Sequence, residues 1–206
     1  MSLVIGVISE HFAVMCGEGK ATYSDNVTLS DFRKVFKFGK DILVGVTGNI
    51  SGVNSFIGFL FNFDGRRFVK KDELEFCYLD LKNELDRRYD EIINTAKCQN
   101  FHVSIIGWVD NQFCIDSYFY NPISTSKNRR EHTVIDSINN FKFVSMECTD
   151  NRHFADFLAI AKEINASNIL LVKNAFKGTL ERGVKYDDTI NCNAMFESIR
   201  RVDISR

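Results

Sequence analysis

Four residues in the first quarter of the chain carry groups that could do chemistry. Ser2 offers a hydroxyl, Glu18 a carboxylate inside the run Gly17-Glu18-Gly19-Lys20-Ala21-Thr22, and Lys34 an ammonium. Gly48 ends the apolar run Asp41-Ile42-Leu43-Val44-Gly45-Val46-Thr47 and offers a backbone N–H. A hydroxyl, a charged pair and a backbone donor are ingredients of acyl-transfer chemistry. Each also has an ordinary use. Ser2 reads equally as a strand-terminal serine, and Met-Ser-Leu is a common cloning remnant. Lys34 reads as a strand-edge lysine and Gly48 as a turn before a helix. A lone Gly-x-Gly carries little information, and the longer glycine-rich patterns that cradle phosphate are missing.

The other reactive side chains are scattered. Cys16, Cys77, Cys98, Cys114, Cys148 and Cys192 show no C-x-x-C spacing, and His11, His102, His132 and His153 are equally dispersed. No metal site and no cofactor is implied. Most of the cysteines lie in apolar runs and read as buried thiols of a reducing cytoplasm.

Charge narrows the partners. With 27 acidic and 26 basic residues the net charge is -1, which disfavours nucleic acid as a partner. No apolar stretch approaches the roughly 20 residues that span a bilayer. The start MSLVIGVISEH has no basic region before its apolar run, so neither a signal peptide nor a membrane segment is expected. A chain of 206 residues, 45% hydrophobic and with a single proline, fits one packed domain over residues 1–206.

The elements that must position these groups follow from periodicity. Leu3 to Ile8 and Phe12 to Cys16 read as paired strands, GEGKATYSDNVTLSD as an ordered loop, and Val35 to Phe38 and Ile42 to Thr47 as two further strands. After Gly48 the period lengthens: Val53, Phe56, Ile57 and Leu60 mark one helix, and a stripe from Leu74 to Ala96 marks a longer one from Asp72 to about Lys97. Strands resume at His102 to Val109 and Gln112 to Tyr118 around the turn Asp110-Asn111. A polar stretch then leads to a strand at Phe141 to Met146. Helices on Phe154 to Ile164 and Ile169 to Leu180 follow, and a strand around Met195 to Val202 closes the order. Segregated runs of this kind predict an α+β protein with antiparallel sheets inside and helices outside.

This order, and the first 60 residues in detail, resemble the N-terminal-nucleophile hydrolases, specifically the proteasome β-subunit and its bacterial relative HslV. Gly17 to Thr22 is similar to the family's G-D-G-x-x-T loop, with Glu18 in place of aspartate. Lys34-Val35-Phe36-Lys37 stands where the active-site lysine opens a strand, and Asp41 to Gly48 resembles the strand that ends in the oxyanion-hole glycine. Counting back from Gly17 puts Ser2 at the nucleophilic threonine. The resemblance implies a four-layer αββα sandwich and a peptidase or amidase acting on a peptide or amide substrate. It assigns Ser2 as nucleophile, Glu18 and Lys34 as a tuning pair and Gly48 as oxyanion donor.

In such a mechanism the free α-amine, with an ordinary pKa of about 7.7–8.0, takes the hydroxyl proton, so Met1 must be removed. The resemblance further implies a homo-oligomer, for which the phenylalanine-rich segment Phe56 to Phe68 is the candidate contact surface. Two family features are displaced. The supporting serine falls near Cys148 or Thr149. The supporting aspartate falls near Gly178 or Thr179, where there is no carboxylate; Asp187 and Asp188 remain as replacements. A catalytically silent subunit of the same fold is therefore the alternative, and an unrelated small-molecule-binding α+β domain is a third reading.

Overall fold

The computed structural model describes residues 3–22, 28–49, 78–95, 100–123, 128–134, 141–147 and 152–201. In chain order these form β1 (Leu3–Ser9), β2 (Phe12–Glu18), β3 (Ala21–Thr22), β4 (Thr28–Leu29), β5 (Val35–Phe38) and β6 (Ile42–Gly48). Next come α1 (Tyr78–Thr95), β7 (Phe101–Val109), β8 (Gln112–Tyr120), β9 (Arg129–Val134) and β10 (Phe141–Glu147). The helices α2 (Arg152–Glu163) and α3 (Ile169–Gly183) precede β11 (Ala194–Arg200). The helix expected on Val53 to Leu60, the Phe56 to Phe68 segment and the start of the long helix before Tyr78 lie outside the described residues.

Two antiparallel sheets form the centre, one ordered β10-β1-β2-β11 and the other β5-β6-β7-β8-β9. Alternation sends successive side chains to opposite faces, and both faces here are buried. On β1 and β2, Leu3, Ile5, Val7, Phe12, Val14 and Cys16 pack with Phe157, Val172, Phe176 and Leu180 of α2 and α3. The intervening Val4, Ile8, Ala13 and Met15 meet Leu43, Ile106, Phe113 and Ile115 of the other sheet. That sheet turns Val44, Val46, Val103 and Ile105 toward Tyr78, Leu81, Leu85 and Tyr89 of α1. The result is helix, sheet, sheet, helix: the αββα sandwich. Helix α1 comes in close at Gly107, where a Cβ would stand 2.0 Å from the Tyr78 ring.

Local chemistry fixes the turns. Asp110 and Asn111 have φ of 49° and 63°, the left-handed pair that a two-residue hairpin between Val109 and Gln112 requires. Between β1 and β2, the Ser9 hydroxyl accepts from the amides of His11 and Phe12. Helix α3 opens on Asn168, whose Oδ1 accepts from the Leu171 amide.

The structure corrects the sequence reading in two places. The expected loop from Gly17 is partly regular: β2 runs on through Glu18, and Ala21–Thr22 pairs with Thr28–Leu29. The stretch after Pro122 contains β9, an edge strand of sequence RREHTV that pairs with β8. Its exposed residues Arg129, Arg130, Glu131 and His132 bury no apolar face, so no alternation marks it. Among the described residues no helix is long and apolar enough to cross a membrane.

Candidate functional site

Gly17 marks the end of the sandwich where the two sheets approach closely. It lies opposite Val4 in the β1–β2 ladder. A Cβ on it would stand 2.9 Å from Val35 Cγ1, 3.5 Å from Val4 Cγ2 and 3.6 Å from Lys34 Cβ. The absent side chain lets Lys34, immediately before β5, cross from one sheet to the last residue of β2.

Lys34 is 2% exposed and Glu18 fully buried. The Lys34 ammonium is ion-paired to Glu18 Oε1 and also donates to the Lys20 carbonyl. The other carboxylate oxygen, Oε2, accepts from the Lys20 amide at 2.6 Å. Removing either charge from water costs several kcal/mol, so the pair persists because each partner compensates the other, and Lys20 adds one hydrogen bond to each.

Gly48 closes β6 at the same end. The Lys34 carbonyl accepts from the Val46 amide at 2.9 Å, and Gly48 is two residues further along, about 6.6 Å at the usual strand rise. Its φ is +129°, and a Cβ would lie 2.5 Å from Asn100 O and 2.6 Å from Phe101 Cα. Only glycine fits there. Ser2 lies outside the described residues. The strand it precedes starts level with Glu18, because Val4 faces Gly17. Glu18, Lys34, Gly48 and the start of β1 thus share one end of the sheets.

The segment after α3 buttresses this end. Lys20 Nζ donates to the Asp188 carbonyl, and the Gly19 amide donates to Asn191 Oδ1 at 3.3 Å. Asn191 and Asn193 donate their side-chain amides to the Ser30 carbonyl at 2.9 and 2.6 Å. Asn191 escaped the sequence reading: its contact with Gly19 joins positions 172 residues apart, and nothing local signals it.

Gly178 and Thr179, where the supporting aspartate was expected, carry no carboxylate. Gly178 is inside α3 against Ile160, and the Thr179 hydroxyl donates back to the Ala175 carbonyl at 2.9 Å. Asp187 is committed elsewhere. Its Oδ2 meets His153 Nε2 of α2 at 2.7 Å, and its Oδ1 accepts from the amide and hydroxyl of Thr189. Burial alone would raise this carboxyl, but the hydrogen bonds from Thr189 and His153 outweigh it and hold it below the ordinary aspartate value. Tyr186 stacks on His153 at 5.2 Å and completes the cluster. Asp188 reaches the Lys20 side through its backbone carbonyl. The region of Cys148 and Thr149 lies outside the described residues. Among the described residues no group of three or more histidine, cysteine or acidic side chains could hold a metal ion.

A family model described as proteasome subunit matches residues 2–61. No curated protein matches the sequence. Among solved structures, Anbu (ancestral beta-subunit) from Yersinia bercovieri superposes with a TM-score of 0.69 at 10% identity, covering 96% of this chain and 81% of that one. Eukaryotic HslV from Trypanosoma brucei superposes with a TM-score of 0.56 at 12% identity, covering 97% of this chain and 99% of that one. The chain carries a proteasome-subunit match over its first third, and its fold is that of the N-terminal-nucleophile hydrolases of the proteasome β-subunit and HslV type.

Proposed function

We propose that the protein is an N-terminal-nucleophile peptidase or amidase. The observation that carries this reading is the buried Lys34–Glu18 pair at the sheet end where β1 begins. Once Met1 is removed, the Ser2 α-amine accepts the hydroxyl proton, and the oxygen bonds to the substrate carbonyl carbon. The Lys34 charge lowers the cost of the forming alkoxide, and the Gly48 N–H stabilises the tetrahedral oxyanion. Collapse breaks the amide C–N bond, and the leaving amine takes the proton. Water, deprotonated by the same α-amine, then releases the acyl group and restores the hydroxyl. The substrate is a peptide or amide, and no cofactor enters.

On this reading the chain is one domain over residues 1–206, cytoplasmic, and a homo-oligomer acting on neither nucleic acid nor membrane. Hydrolysis of fluorogenic peptide amides by protein beginning at Ser2 tests it. Activity that disappears in Ser2→Ala and Lys34→Ala, with folding retained, supports the reading; activity unchanged in either variant defeats it.

A second reading has its own observation. No carboxylate stands at Gly178 or Thr179, where the supporting aspartate was expected, and the candidate replacement Asp187 is bound to His153 and Thr189. That favours a silent subunit with an assembly role, and protein beginning at Ser2 that hydrolyses none of these amides would select it.

A further inference from the structure

The segment between α3 and β11 is irregular, so side chains rather than a strand ladder decide where it lies. One of its anchors is in the first turn of α2. His153 is 3% exposed, and its Nε2 stands 2.7 Å from Asp187 Oδ2. The carboxylate can only accept, so Nε2 carries the proton. The ring is held on its other sides too. Tyr186 stacks on it at 5.2 Å, and the Tyr186 hydroxyl lies 3.0 Å from Nδ1 and 2.7 Å from Asp156 Oδ2. Gly183 leaves the room: a Cβ there would stand 2.9 Å from His153 Nδ1 and 2.6 Å from Ile190 Cδ1.

The second anchor faces the start of the chain, and one peptide group joins the two. The Thr189 amide donates to Asp187 Oδ1 at 2.9 Å, and its nitrogen shares a planar unit with the Asp188 carbonyl. That carbonyl accepts from Lys20 Nζ. Lys20 in turn gives its amide to Glu18 Oε2 and accepts from the Lys34 ammonium on its own carbonyl. From His153 to Lys34 every link is therefore a hydrogen bond or a covalent one. Ile190 packs in the core beneath α2 and α3 and sets the depth of the segment. The Asp187 carboxylate sets the orientation of the Asp188–Thr189 peptide.

We infer that His153 and Asp187 are positioning residues for Lys20 and, through it, for the Lys34–Glu18 pair. His153 holds the carboxylate, the carboxylate orients the peptide, and the peptide carbonyl holds Lys20. The consequence for catalysis rests on the proposed function; the coupling of α2 to Lys20 does not.

The test compares His153→Leu, which removes the donor, with His153→Gln, which loses the ring but keeps an amide donor near the place of Nε2. Asp187→Ala breaks the same tie from the segment; at 9% exposure it stands at the rim of the core, and it decides the matter if His153→Leu does not fold. In folded protein the Gly19 and Lys20 amide resonances and the Lys20 ammonium resonance move in His153→Leu and Asp187→Ala, those of β7 and β8 stay, and His153→Gln restores the parent positions. Unmoved Gly19 and Lys20 resonances overturn the coupling. A change that His153→Gln fails to relieve comes from packing of the ring and overturns it as well. The second readout is the rate of covalent labelling at Ser2 by a hydroxyl-directed inhibitor, well below the unfolding temperature. It slows on the order of 10- to 100-fold in His153→Leu and Asp187→Ala but not in His153→Gln. Moved resonances with an unchanged rate overturn the positioning role, since a merely structural tie would leave the labelling of folded protein alone. A parent protein that begins at Ser2 and is never labelled removes the proposed function, and the resonance comparison still decides the coupling.

Discussion

Replacing Glu18 by glutamine is the most informative single perturbation of the site, because it keeps the shape and deletes one charge. Glu18 is fully buried and Lys34 is 2% exposed, so the ammonium would be left in the interior facing a neutral amide. Breaking a buried pair from one side costs about 3–5 kcal/mol, against roughly 5–15 kcal/mol for the total stability of a domain. For a chain of this size each kcal/mol moves Tm by roughly 2–4 °C, so the expected loss is about 6–20 °C. Lys34→Met should fall in the same range. The double variant Glu18→Gln/Lys34→Met should lose less than the two single losses added together, since no uncompensated charge remains. Thermal and urea unfolding followed by circular dichroism at pH 7 measures all three. An exposed pair contributes only about 0–1 kcal/mol. Single-variant losses below about 4 °C, or strict additivity in the double variant, would show that the pair is not buried as described.

Further outcomes follow from other residues. Gly48→Ala forces a Cβ into Asn100 O and Phe101 Cα at φ +129°, so it should destabilise by about 1–3 kcal/mol or more, visible as a lower urea midpoint. His102 should titrate by NMR near 4, well below the ordinary histidine value of about 6.5. Its neutral form is favoured by folding, so its contribution is full above about 6.5 and declines as pH falls toward 4. Asp187, whose folded value is depressed, contributes stability above the ordinary aspartate value of about 3.9 and loses it as pH falls through the folded value. Asp187→Asn should therefore cost more stability at pH 7 than at pH 3 in parallel urea titrations.

The sandwich was legible because β1, β2 and β6 bury both faces, and near-continuous apolar runs bounded by turns survive in the sequence. The hairpin at Asp110-Asn111 was legible for a different reason: those two types tolerate the left-handed backbone the turn needs. Strand β9 was not, since it is held by its ladder to β8 and by charged contacts such as Arg130 with Asp86 and Asp90 rather than by an apolar face. At the site, Glu18 and Lys34 lie 16 residues apart, and it was the resemblance of that stretch to a family motif that singled them out. Lys20, Asp188 and Asn191 meet only when the end of α3 folds back on the start of the chain, and Asp187 could not be read as His153's partner from spacing alone.

The central claim, that Ser2 works as a nucleophile beside Lys34, is tested most directly by intact-mass spectrometry before and after treatment with a hydroxyl-directed covalent peptidase inhibitor. Fragmentation locates any adduct. The account predicts a chain that has lost Met1 and gains one adduct on Ser2, with no adduct when Met1 is retained or in Lys34→Ala. A chain that begins at Ser2 and gains none, or one labelled at another residue, would contradict it.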